Sequence, residues 1–155
     1  MKKILVLFFL LAAGSVAFAA SIDFLQVKVA VGQSGEARVS HLLSFDSRKG
    51  EAASFSVFDT KGLRVFDASG DIAFTEENGV VSFVPKSFVE NYGVTIEYSS
   101  SNLTSKSGSQ WLFALQFVPG NEFGELDFVV VLPKNARLSL NEPQALVYSG
   151  ENGLE

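Results

Sequence analysis

The sequence predicts an all-β fold, an antiparallel immunoglobulin-like β-sandwich of about ten short strands. Three observations support this prediction. Apolar residues recur at every second position in many short segments, turn residues separate those segments at intervals of roughly 8–12 residues, and no segment has the longer period of an amphipathic helix. A closed barrel built from the same short strands is the alternative.

The amino-terminal residues 1–19 predict an export leader. Lys2 and Lys3 supply the positive start, residues 4–13 the apolar run, and Ala17-Phe18-Ala19 the small-x-small pattern read by signal peptidase. We therefore expect cleavage after Ala19 and an exported protein in the periplasm, at the cell surface or outside the cell. An uncleaved leader acting as an anchor is the alternative, although its apolar run is shorter than the ~20 residues of a membrane span.

Composition excludes several classes of function. The chain has 155 residues and a formal net charge of −5, and removing residues 1–19, which hold two Lys and no acid, leaves 10 basic and 17 acidic residues and a charge of −7. This balance argues against a nucleic-acid partner and against polybasic binding to anionic lipid. The absence of Cys excludes thiol catalysis, disulfides, cysteine metal sites and lipid attachment through an amino-terminal Cys. Residues 20–155 have the length of a single domain.

The first strands of this domain form a predicted hairpin. Residues 22–31 alternate, Gly32-Gln33-Ser34-Gly35 is a turn, and residues 37–45 return with His41 on the apolar row of Val39 and Leu43. Residues 55–59 and 63–67 are predicted to form a second hairpin around Gly62.

A third hairpin follows at Asn78-Gly79, the strongest turn signal in the chain, because this pair tolerates the two positive φ angles of a type I′ turn. It joins predicted strands over residues 72–77 and 80–84, and a two-residue loop sets Phe74 opposite Phe83 and Glu76 opposite Val81.

The second half of the chain contains the predicted centre of the core. Residues 111–118 and 125–132 are apolar on both alternating rows, which is typical of strands buried on both faces. Before them, residues 87–92 predict one helical turn, residues 94–98 a strand, and the serine-rich residues 99–109 a mobile loop. After them, residues 136–140 and 144–148 predict two more strands. Residues 149–153 read as a turn without a return strand, which predicts either that the natural polypeptide continues or that its end is frayed.

No assembled catalytic, cofactor or metal site emerges from the residue pattern. His41 is the only histidine, and we expect it to be structural. Asp67 and Asp71 flank a short turn and are candidate oxygen ligands for Ca²⁺, although Asp at turn ends is also ordinary turn chemistry. Asn102 begins an Asn-Leu-Thr sequence that fits an N-glycosylation acceptor in an exposed loop.

Several segments together resemble a known class of domain. They are Val27-x-Val29-x-Val31, Gly35-Glu36-Ala37-x-Val39, Tyr92-x-Val94-x-Ile96-x-Tyr98, Leu103-Thr104-Ser105-Lys106-x-Gly108, Trp111, and Val130-Val131-Leu132-Pro133-x-Asn135-Ala136-x-Leu138. This set resembles extracytoplasmic β-sandwich domains of unknown function in prokaryotic membrane-tethered surface or sensor-like proteins. The resemblance implies an outer module that precedes a membrane helix, whereas this sequence ends before any such helix. The resemblance assigns no function to individual residues.

The expected function is a non-enzymatic binding or assembly module that contacts protein or glycan at the cell envelope, without a cofactor. A ligand-sensing domain of a membrane receptor and a carboxylate-based accessory hydrolase domain are the alternatives. Exposed, coplanar aromatic side chains at Tyr92 or Phe123 would favour glycan, whereas buried ones would favour a protein partner.

Overall fold

A computed structural model describes residues 3–10, 21–57, 60–107, 110–117, 123–134, 136–142, 149–150 and 153–154. These residues form an all-β structure without a helix, as predicted, but with more strands than expected. The strands are β1 Lys3–Leu10, β2 Ile22–Val31, β3 Ala37–Phe45, β4 Ala53–Ser56, β5 Lys61–Asp67, β6 Gly70–Asp71, β7 Phe74–Glu77, β8 Val80–Phe83, β9 Tyr92–Ser100, β10 Thr104–Ser107, β11 Gln110–Phe117, β12 Phe123–Val131, β13 Arg137–Glu142, β14 Ser149–Gly150 and β15 Gly153–Leu154.

The strands belong to separate sheets that do not close on themselves in the described part of the chain. A six-stranded sheet has the order β12-β2-β3-β9-β5-β6, a four-stranded sheet β10-β11-β1-β13, and a three-stranded sheet β4-β8-β7, beside the short pair β14-β15. The prediction that all strands pair antiparallel is wrong for three pairs. Strand β12 runs parallel to β2, and β1 runs parallel to both β11 and β13. The fold is therefore a mixed β structure.

The core lies on the inner face of the six-stranded sheet. Alternating residues of β2, β3 and β9 are buried, as the period-two pattern predicts, and the three-stranded sheet packs against them. Two aromatic contacts join these layers, with ring centroids 4.9 Å apart for His41 and Phe55 and 6.3 Å apart for Phe45 and Phe83. Phe113 of β11 is fully buried in the same core.

Two predicted hairpins are confirmed, the second with its predicted register. Strands β2 and β3 pair antiparallel across the turn at residues 32–35. At the second turn, Asn78 and Gly79 have φ angles of 53° and 76°, and β7 and β8 pair Phe74 with Phe83 and Glu76 with Val81. At both places the backbone preferences of the turn residues were sufficient to predict the strand pairing, because the turn directly joins the two paired strands.

The predicted centre of the core is wrong in its placement. Residues 110–117 and 123–131 are strands, but β11 and β12 lie in different sheets, and β12 is the edge strand of its sheet. On β12, Leu126 is exposed and Phe128 is only partly buried. Apolar residues on both rows therefore did not mean burial on both faces, because β2, β3 and β9 occupy the middle of the sheet.

Four further expectations need correction. The predicted hairpin around Gly62 does not form, because β4 pairs with β8 whereas β5 pairs with β9. Residues 72–77 are not one strand, and residues 87–92 contain no helical turn. Residues 99–109 are not wholly loop, because β9 extends to Ser100 and β10 follows at Thr104. The strand predicted for residues 144–148 lies outside the described residues.

The predicted leader segment forms a strand in this structure. Strand β1, which spans Lys3–Leu10, lies between β11 and β13. Cleavage after Ala19 stays a prediction, because the pairing of a precursor does not determine whether a peptidase removes the segment. Among the described residues, no helix has both the length and the apolar character needed to cross a membrane.

Candidate interaction surface

The most exposed apolar side chains of the described structure lie on one loop between β8 and β9. Within residues 84–91, which we name the Phe88 loop, the exposed fractions are 60% for Phe88, 56% for Val84 and 46% for Val89. Singly exposed apolar residues are common, but three within six consecutive positions give this loop an unusually large share of exposed apolar surface.

Ser47 fixes the far half of this loop to the segment after β3. The buried Ser47 hydroxyl accepts a hydrogen bond from the Val89 amide at 2.9 Å and lies 2.7 Å from the Ser87 carbonyl oxygen, to which it can donate. The Ser47 amide in turn donates to the Val89 carbonyl at 2.9 Å. The backbone on both sides of Phe88 is thus held by hydrogen bonds to Ser47, which reduces the entropy lost when a partner binds.

The Phe88 ring rests on Gly50 of the neighbouring segment. A Cβ atom at Gly50 would lie 3.2 Å from Phe88 Cε1, and Gly50 has a φ of 68°, which favours glycine. One edge of the ring is therefore supported by backbone while the rest faces solvent.

Tyr92 and Asp67 fix the near half of the loop. The Lys86 amide donates to the Tyr92 hydroxyl oxygen at 3.1 Å, and that hydroxyl donates to Asp67 Oδ2 at 2.5 Å. Burial, followed by this bond to Asp67, raises the pKa of Tyr92 to about 12, so the hydroxyl remains a donor at neutral pH. Hydrogen bonds from the Ser69 and Tyr92 hydroxyls lower the pKa of Asp67 to about 2, so its carboxylate remains an acceptor.

Charged residues border the apolar surface. Arg48 donates to both carboxylate oxygens of Asp46, with a closest distance of 2.6 Å, and lies 3.8 Å from the Glu90 carboxylate. The bonds from Arg48 hold the pKa of Asp46 down at about 2. An apolar centre bordered by charges of both signs is the usual composition of a protein-protein contact surface.

The two calcium candidates, Asp67 and Asp71, have different neighbours. Besides Tyr92, the Asp67 carboxylate accepts bonds from the Ser69 amide at 2.8 Å and the Ser69 hydroxyl at 2.6 Å. Asp71 forms an ion pair with Arg64 at 2.8 Å. No cluster of three or more His, Cys, Asp or Glu side chains suited to a metal occurs among the residues that the structure describes. To bind calcium, Asp67 and Asp71 would have to give up several of these bonds.

We therefore expect calcium to leave the stability of the protein unchanged. Millimolar CaCl₂ added to a thermal melt should not shift the melting temperature, because both carboxylates already have partners and, among the described residues, no third acidic or histidine side chain joins them. The Asp71→Asn variant is the control, since any effect of ionic strength should appear in it equally. A rise in the wild type of several degrees that is absent in Asp71→Asn would establish the site.

The other two predicted site residues lie apart from this surface. His41 is buried and hydrogen-bonded to Tyr98, with 3.1 Å between Nε2 and the hydroxyl oxygen, so it has no access to a substrate in solution. Asn102 is exposed in the bend between β9 and β10, as an acceptor should be. The Thr104 hydroxyl donates to the Gly35 carbonyl, so glycosylation, which stays a prediction, would have to precede folding.

Sequence reasoning did not single out the Phe88 loop. Phe88 and Val89 are adjacent apolar residues in a stretch that Pro85 separates from the preceding alternating strand. That break in period was a usable signal, but only the fold reveals that both side chains face solvent rather than the core.

The comparisons with known proteins add no family or function. Neither the family models nor the curated proteins include a match to this chain.

Proposed function

We propose that this chain is an exported, non-enzymatic binding module whose contact with a protein partner is made by the Phe88 loop. The observation that carries the proposal is the exposure of Phe88, Val84 and Val89 on a loop held by Ser47 and Tyr92. Exposed aromatic side chains on a preorganised backbone are the usual source of binding energy at protein interfaces.

A protein partner is favoured over glycan. Tyr92, which could have presented an aromatic face to a sugar, is buried against Phe45 and uses its hydroxyl within the fold. Phe88 and two valines offer no hydrogen bonds to sugar hydroxyls, whereas they suit an apolar pocket on a protein. The side chain of Phe123 lies outside the described residues and does not enter this choice.

We further propose that the sheets belong to an immunoglobulin-like β-sandwich of the extracytoplasmic class that the sequence resembles. The packing of the three-stranded sheet on the six-stranded sheet supports this assignment. A sensor of small molecules is the alternative, but the cavity between these two layers does not support it, because its volume of about 10 Å³ is roughly the space of one water molecule.

The contact surface is tested by photo-crosslinking in the native envelope. A photoreactive residue replaces Phe88 in one variant and Leu42 in a second, which serves as the matched control because Leu42 is 39% exposed on the outer face of β3. We expect position 88 to cross-link one protein reproducibly and position 42 not to do so. Equal cross-linking at both positions, or none at position 88, would contradict the proposed surface.

The affinity of the identified partner provides the quantitative prediction. Phe88→Ser should weaken binding by about tenfold or more, because an interfacial aromatic anchor typically contributes over ~1.4 kcal/mol. Leu42→Ser should leave the dissociation constant unchanged. Both variants should retain the wild-type melting temperature within a few degrees, since neither side chain is buried.

A further inference from the structure

Strand β1 pairs with β11 along its whole length and with β13 along most of its length. It runs parallel to β11 from Lys3 opposite Gln110 to Leu10 opposite Phe117. On its other side it runs parallel to β13, with one irregularity between Ile4 and Leu5. Both neighbours therefore direct backbone hydrogen-bonding groups toward this one segment.

The same segment carries the leader pattern, so its removal would open the four-stranded sheet. In the order β10-β11-β1-β13, β11 would retain β10 on its other edge, and β13 would lose the one neighbour it has among the described strands. Strands in a sheet lie about 4.8 Å apart, so the two remaining strands would face each other across about 10 Å. That spacing is one strand wide and leaves two unpaired backbone edges.

We propose that the processed protein accepts an extended strand from another polypeptide in this slot between β11 and β13. The inference rests on the export in the proposed function and on the predicted removal of the leader. Strand addition of this kind draws its affinity from backbone hydrogen bonds and its specificity from alternate side chains.

The chemistry of the occupant follows from the segment that fills the slot in the precursor. After Lys3, β1 reads Ile-Leu-Val-Leu-Phe-Phe-Leu, so the slot takes about seven consecutive apolar residues without proline or charge, running parallel to β11. Lys3 itself stands opposite Arg137 in the register, and like charges at paired positions destabilise a sheet. A donor strand with an uncharged or acidic residue at that position should therefore bind better than the leader.

A second copy of the chain is the less suitable donor. Each apolar strand of eight or more residues in residues 21–142 that the structure describes is already paired within its own sheet, so donating it would break that sheet. The occupant we infer is an apolar strand of a different envelope protein.

Hydrogen-deuterium exchange on the processed protein tests the inference. Amino-terminal sequencing of the exported protein comes first, since an amino terminus at Ala20 establishes leader removal, whereas one at Met1 refutes the open slot and leaves the Phe88-loop contact of the proposed function intact. The probe is a synthetic peptide of residues 3–10 with Lys3→Glu and a carboxyl-terminal lysine tag for solubility. We expect it to slow exchange at least tenfold in residues 110–117 and 137–142, without changing β3 or β9.

The control peptide carries Leu5→Pro and Leu7→Pro, which keep the segment largely apolar but prevent strand pairing. It should leave exchange unchanged. Protection by both peptides would mean non-specific apolar adsorption and would overturn the inference. Full protection of both segments before any peptide is added, whether β11 and β13 close on each other or two copies associate, would also overturn it while leaving the proposed function intact.

Discussion

Replacing Gly35 with Ala should lower the free energy of unfolding by about 3 kcal/mol and the melting temperature by about 10 °C. Gly35 has a φ of 90°, a backbone conformation that costs an L-residue about 1–2 kcal/mol. A Cβ atom at this position would also overlap the Trp111 ring, and Thr104 Oγ1 would lie 3.0 Å from it. The turn between β2 and β3 is therefore the surface on which β10 and β11 pack.

Gly62→Ala is the matched control for this prediction. Gly62 also has a positive φ, 65°, but a Cβ atom there meets nothing within 4 Å. Urea unfolding should show a loss of about 1 kcal/mol for Gly62→Ala, the backbone part alone. Equal losses in the two variants would mean that Trp111 does not abut Gly35, whereas partial rescue of Gly35→Ala by Trp111→Leu would establish the contact.

Acidification from pH 6.5 to about 4 should destabilise the protein by about 3 kcal/mol through His41 alone. Burial lowers the pKa of His41 to about 4 from an ordinary value of 6.5. Within the described residues its Nδ1 atom is buried without a hydrogen-bond partner, and the rings of Phe55 and Tyr98 lie beside it. Over this range His41 binds a proton in the unfolded chain but not in the folded chain. The contribution of His41 to stability is therefore complete above pH 6.5 and decreases as the pH falls.

His41→Phe is the variant that isolates this effect. Phenylalanine has a similar ring and no titrating group. The free energy of unfolding of the variant should therefore change less than that of the wild type between pH 6.5 and 4. Urea unfolding at several pH values gives the difference between the two proteins, which removes the contribution of other groups. In the folded protein the pKa values of Asp46 and Asp67 are about 2, against an ordinary value of 3.8, so most of the stability that these groups contribute is lost below this window. Identical pH dependence in the two proteins would show that His41 is not buried as described.

Local sequence signals predicted the structure best where a single turn closes neighbouring strands. The dipeptide Asn78-Gly79 correctly predicted the backbone conformation of the turn and the pairing of Phe74 with Phe83. Alternation in β3 likewise placed His41 on the buried row. In these cases the interacting residues lie close together in the chain, so local geometry leaves few alternatives.

Predictions that required distant segments to choose their partners were less successful. The apolar rows of β11 and β12 indicated strands but not that the two would join different sheets, with β12 at an edge. Gly62 predicted a hairpin turn, yet it lies within β5, and β4 and β5 join different sheets. Periodicity reports which face of a strand is apolar, whereas the choice of neighbouring strand depends on the packing of the whole core.

The candidate surface illustrates the same division. The sequence indicated that Pro85 breaks the strand pattern and that Asp67 flanks a turn. It suggested calcium as the partner of Asp67, whereas in the structure that partner is Tyr92, 25 residues further along the chain. Ser47 and Val89, 42 residues apart, likewise had no signal that linked them.

By itself the sequence determined the all-β class, the two confirmed hairpins, the buried position of His41 and the exclusion of cysteine chemistry, because period-two burial, turn conformation and composition are properties of short segments. Only the tertiary structure decided which strands share a sheet, why Gly35 must remain without a side chain beside Trp111, and that Phe88 faces solvent. Those features arise from contacts between segments far apart in the chain, which form only when the core as a whole is packed.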